Sequence, residues 1–72
     1  MDLFIFRTNV ETAIQIEVVE VLFNQYPMIV DWFVDTEDID NVMRVEVSEM
    51  LTEIQIIDLI KSIGFDCELL PD

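Results

Sequence analysis

Along this chain, runs of apolar residues that suit strands alternate with stretches whose apolar positions recur at helical spacing. Residues 3–8, Leu3-Phe4-Ile5-Phe6-Arg7-Thr8, are such a run, predicted as a first strand. Thr8-Asn9 and Glu11-Thr12 follow with turn and helix-start chemistry. From Thr12 to Asn24, the residues Ile14, Val18, Val21 and Leu22 fall at i, i+4, i+7 and i+8, one helical face, which is predicted to be core. The same helix carries a second apolar stripe, Ile16, Val19 and Phe23, on a largely opposite side. Pro27 closes this region by biasing Tyr26 away from helical angles, and residues 29–35 read as a second strand. An acidic turn over 35–41 leads to a third strand over 42–47. Thr52 with Gln55 forms a capping box for a second helix with Ile56, Leu59, Ile60 and Ile63 on one face, and Gly64 is placed to stop it. Residues 65–70 are predicted as a short last strand.

The order βαββαβ, without linker or repeat, makes residues 1–72 one domain of the α+β class. Its architecture is the ferredoxin-like sandwich, a four-stranded antiparallel sheet with both helices on one face. Each βαβ unit must skip a strand position to make its right-handed crossover, so the first and third strands should be central. Phe4, Phe6, Trp32, Val34, Met43 and Val45 are then expected beneath the helices. Alternation sends Leu3, Ile5, Phe33 and Val42 to the open sheet face, together with Arg7, Arg44, Glu46 and Glu68.

Composition narrows the function classes. With 53% hydrophobic residues, one Gly and two Pro, the chain is too apolar for a disordered acidic tail. Its formal net charge is −13, since Arg7, Arg44 and Lys61 face sixteen acidic residues. That field opposes nucleic acid and anionic membrane surfaces alike. No apolar run approaches the roughly 20 residues of a spanning helix, and Asp2 stands where an export signal carries basic residues. A single cysteine, Cys67, cannot form an internal disulfide. A cytoplasmic location is expected.

Several landmarks with intact spacing resemble the heavy-metal-associated domain family. Phe6 and Asn9 stand at its strand end and loop methionine, and Val18 and Leu22 at the apolar pair of its first helix. Residues 27–35, from Pro27 to Val34-Asp35, are similar to its Pro-Gly-Val segment and the strand that ends in Val-Asp. Residues 42–47 match its third strand, and Ile60 with Gly64-Phe65 its second helix end. The resemblance implies the same βαββαβ fold and, in typical members, a Cys-x-x-Cys that binds soft metals. In this chain those two positions are Glu11 and Ile14, and Asn9 replaces the methionine. A carboxylate and an isoleucine do not supply two soft sulfur donors, so neither a soft metal nor a cofactor is expected. Cys67 reads as a buried structural residue. Asp35, Glu37, Asp38 and Asp40 cluster without the ligand frame of a calcium loop and read as a solvated hairpin.

Without histidine, imidazole catalysis is removed, and the first loop, where Arg7 and Asn9 might be cast in an acylphosphatase-like role, has no glycine to cradle a phosphate. A non-enzyme is expected. Three surfaces remain as candidates: the stripe Ile16, Val19 and Phe23, the open sheet face with Leu3, Ile5, Phe33, Arg7 and Arg44, and a free strand edge. The expected function is a protein-interaction or self-association module, taking a protein partner or a second copy. The alternative is a degenerate metallochaperone, with weak binding through Cys67 and Glu11, or an accessory of a metal-transport system. An acidic mimic of nucleic acid is a further reading, which the scattered placement of the charges disfavours.

Overall fold

A computed structural model describes residues 2–48 and 50–70. Six elements follow one another as expected: β1 (Asp2–Thr8), α1 (Ala13–Phe23), β2 (Ile29–Asp35), β3 (Val42–Val47), α2 (Glu53–Ser62) and β4 (Cys67–Leu69). The strands form one antiparallel sheet in the order β2-β3-β1-β4, with β1 and β3 central and both helices on one face. This is the ferredoxin-like sandwich.

Both helices start with the same device. Thr12 Oγ1 accepts from the Gln15 amide at 3.1 Å, and Thr52 Oγ1 from the Gln55 amide at 3.3 Å. Each glutamine reaches back to the amide of its threonine. Two otherwise orphaned N–H groups are thereby satisfied per helix. The end of α2 is equally well defined. Gly64 takes φ 94°, its amide donates to the Lys61 carbonyl, and the Phe65 amide donates to the Ile60 carbonyl. That pair of bonds is the Schellman stop, which a glycine enters without Cβ strain.

The core is built from Phe6, Val34, Met43, Val45 and Val47 of the sheet, Ile56 and Ile60 of α2, and Val10 and Leu51 of the connecting loops, with Cys67 at the sheet edge. Phe4 and Trp32 are half-buried against it. Thr8 is buried too, and its hydroxyl donates to the Asn41 carbonyl at 2.7 Å and accepts from the Val10 amide at 3.2 Å.

In α1 the structure reverses the expected faces. Val19 and Phe23 are buried, at 0% and 2% exposure, and Ile16 packs against them as part of the core boundary. Ile14, Val18 and Val21 instead face solvent, at 74%, 41% and 66% exposure, and of the predicted core face only Leu22 touches the core. The candidate interaction stripe is thus core, and the candidate core is surface. Seven of the eleven α1 residues are large and apolar, so periodicity offered two arcs of nearly equal strength. The sheet accepted the arc that ends in the bulky Phe23.

Two smaller departures concern the strands. Val42 belongs to the open face by alternation, yet it is 6% exposed. The last strand is three residues long rather than six, because the Asp66 amide donates to the Asn9 side chain instead of extending the ladder.

Candidate interaction surfaces

The first loop, which carries Glu11 and leads to Ile14, is closed by hydrogen bonds. Gln15 Oε1 accepts from the Glu11 amide at 2.8 Å and from the Thr12 amide at 3.1 Å. The Glu11 side chain lies in solvent, and Ile14 projects outward from the first turn of α1. Asn9 ties the loop to the α2–β4 connection. Its Oδ1 accepts from the Asp66 amide at 2.8 Å, and its Nδ2 donates to the Asp66 carboxylate at 3.5 Å. Cys67 is buried at 2% exposure next to this tie. Desolvation pushes its thiol from 9.0 up to about 12, against a smaller downward pull from Lys61, while Glu68 adds to the rise. It is protonated at neutral pH. Among the described residues, no three His, Cys, Asp or Glu side chains gather where they could hold a metal ion.

The acidic hairpin spends its carboxylates on itself. Asp35 accepts from the Glu37 amide at 3.1 Å, and Asp38 from the Asp40 amide at 2.9 Å, both local turns of the kind aspartate favours. Asp40 pairs with Arg7 Nε at 3.2 Å, and Glu68 holds Arg7 Nη1 at 3.1 Å. Arg7 therefore spans a row from the hairpin to β4, beside a cleft of about 330 Å³ that Lys61 and Asn9 help to line.

On the open sheet face, strand register sets Phe33, Arg44 and Ile5 in one row and Asp31, Glu46 and Leu3 in the next. Leu3 and Phe33 are each 59% exposed, and a shallow depression of about 160 Å³ lies between them. The two arginines of this face differ in their partners. Arg7 pairs with Asp40 and Glu68, whereas Arg44 makes no ion pair among the described residues.

The long free edge is that of β2, and it is partly blocked. A register shift between Ile29 and Asp31 leaves Val30 as a bulge, and Asp31 Oδ1 accepts from the Trp32 amide at 2.9 Å. Bulges and charged side chains on an edge strand are devices that discourage strand addition.

The outer side of α1 has no such protection. Ile14, Val18 and Val21 form a stripe along it, continued by Leu22, and a groove of about 280 Å³ opens between the end of this helix and Ile63 after α2, lined by Val18, Val21, Leu22, Gln25 and Ile63. Sequence reasoning had Ile14, Val18, Val21 and Leu22 in hand but assigned them to the core. The one sequence signal that separates the two arcs is bulk, since the inner arc holds the aromatic Phe23.

The chain is thus a small ferredoxin-like βαββαβ domain that lacks a cysteine pair. Comparison with family models, with curated proteins and with solved structures found no match. Among the described residues no helix is long and apolar enough to cross a membrane.

Proposed function

We propose that this domain is a non-enzymatic protein-interaction module, a divergent relative of the heavy-metal-associated domains that docks protein where they bind metal. One observation carries the reading: Ile14, at the position of the family's second cysteine, heads the exposed stripe with Val18 and Val21. Folding leaves much of their apolar surface in water, a standing invitation to a partner. The loop beside them has no thiol, and its Glu11 and Thr12 amides are held by Gln15. The metallochaperone alternative needs a thiolate, and the buried, protonated Cys67 speaks against it. The absence of histidine and the commitment of Arg7 to two carboxylates fit a chain without catalytic chemistry. A lone cysteine fits the cytoplasm.

A photo-crosslinking side chain placed at Ile14 or Val21, with the full chain in its own cells, is expected to give discrete protein adducts. Solution mass by light scattering then separates a second copy from a foreign partner. A monomer that forms no adduct at Ile14, Val21 or Phe33 overturns the reading. Stoichiometric Cu(I) or Zn(II) uptake that disappears in Cys67→Ala would overturn its metal-free half.

A further inference from the structure

Resting on the interaction-module reading, we infer that the outer face of α1 receives a cationic amphipathic helix of a partner protein. The shape of the site comes first. Ile14, Val18 and Val21 stand at i, i+4 and i+7, a stripe of about 10 Å along the helix axis. Leu22 and Ile63 widen it into a groove of about 280 Å³ at the end where α1 and α2 finish. Backbone amides and carbonyls in this region are engaged within α1 and its cap, so the face has nothing to offer an added strand. It recognises side chains, and a helix laid in the groove presents them at the matching spacing.

Charge then chooses the occupant. Glu17 is exposed on α1 beside the stripe and Glu20 further round on the same flank, and the helix contains no basic residue. A second copy docked on this face would bring its own Glu17 and Glu20 and a further thirteen net negative charges, with no cation from α1 to meet them. An anionic membrane or a nucleic acid meets the same repulsion. A helix with leucine-like residues on one face and Lys or Arg along its borders instead satisfies the stripe and both glutamates together. The surrounding negative field would also speed its arrival.

The test uses the full chain and a labelled synthetic peptide of about eighteen residues, an amphipathic Leu/Lys helix. A scrambled peptide of the same composition, with its leucines spread around the helix, is the control for charge alone. Fluorescence anisotropy at physiological salt is expected to show saturable binding of the amphipathic peptide and at least about tenfold weaker binding of the scrambled one. Ile14→Ser combined with Val21→Ser should weaken binding by about tenfold or more, while Leu3→Ser combined with Phe33→Ser on the sheet face leaves it unchanged. Glu17→Gln with Glu20→Gln should weaken it several-fold and flatten its salt dependence. Circular dichroism checks that each variant keeps its fold, and amide shifts in NMR locate the peptide. Equal affinity for the scrambled peptide, full binding by the folded stripe variant, or shifts confined to the sheet face would each overturn the inference. No binding of the amphipathic peptide, with crosslinked adducts still formed at Ile14, removes the cationic helix and leaves the interaction module standing. Peptide binding to a monomer that forms no adducts in cells does the reverse to the module.

Discussion

Phe23 at the end of α1 meets Trp32 of the edge strand β2 edge to face, with ring centroids 5.3 Å apart and planes at 89°. This contact fixes which side of α1 lies on the sheet, because turning the helix to bury Ile14 and Val21 would pull Phe23 out of the core. Edge-to-face pairs are worth about 0.5–1.5 kcal/mol beyond the area they bury. Here the pair also holds the outermost long strand against the helix layer.

Substitutions on the two faces of α1 should therefore behave oppositely. Phe23→Ala is expected to cost about 3–5 kcal/mol through the cavity it leaves, and Ile60→Ala about 2–5 kcal/mol. Ile14→Ser and Val21→Ser should each lie within about 0.5 kcal/mol of the parent, as exposed positions do. Urea midpoints decide the matter, and large losses at Ile14 with small ones at Phe23 would restore the opposite face as core. The emission of Trp32, the single tryptophan, should also shift to the red in Phe23→Ala.

The two capping boxes allow a matched pair of tests. Thr12→Ala and Thr52→Ala should each cost about 1 kcal/mol, by leaving helix amides without their acceptor. Gln15→Ala should cost more than Gln55→Ala, because Gln15 Oε1 accepts from two backbone amides and Gln55 Oε1 from one. Equal losses would mean that solvent replaces the second bond at Glu11 at no cost.

Cys67 makes stability depend on alkaline pH. The folded chain holds its thiol protonated to about 12, whereas in the unfolded chain it ionises from 9.0. Only the unfolded state gains by releasing that proton, so the stability is whole below about pH 8.5 and drains as pH rises toward the folded value. Chemical denaturation of the parent and Cys67→Ala at a series of pH values from about 7 to 10.5 should show a fall present only in the parent. Native protein at neutral pH should also react slowly with a thiol reagent and quickly once unfolded.

Met50 occupies a left-handed backbone conformation, φ 63°, with its side chain 87% exposed. Asn41 does the same at φ 44°, but asparagine tolerates the region that methionine resists. Met50→Asn is expected to stabilise the domain by about 0.5–1 kcal/mol, and Asn41→Ala to cost about 1 kcal/mol. A midpoint that falls on Met50→Asn would show that the methionine has a compensating contact.

Much of this architecture could be read before any coordinates. The bounds of β2 and β3 follow from apolar runs closed by Pro27 and by the acidic turn, and the central placement of β1 and β3 follows from crossover handedness alone. The Thr52–Gln55 box is visible as residues, and the equivalent Thr12–Gln15 box has the same spacing at a helix start read from Glu11-Thr12 alone. The phase of α1 was not legible from periodicity, which sees two apolar arcs; the bulk of Phe23 is the single local signal, and its packing on Trp32 of the next strand decides. The length of β4 was hidden for a similar reason. Asp66 leaves the ladder for Asn9, a partner 57 residues earlier in the chain. Where long-range side-chain geometry chooses between locally equal options, a window on the sequence has nothing to weigh.

Gln15 has a further consequence, for any metal site engineered into this loop. Two thiols grafted at positions 11 and 14 would arrive on a turn whose amides are already held by a glutamine, with the second thiol displacing the head of the exposed stripe. An ion passed from hand to hand needs a loop that can loosen around it, and this one has been sewn to its own helix. Any ion placed there would have to compete with the bonds that Gln15 makes to the Glu11 and Thr12 amides, so the loop that starts the helix well is by the same bonds a poor cradle.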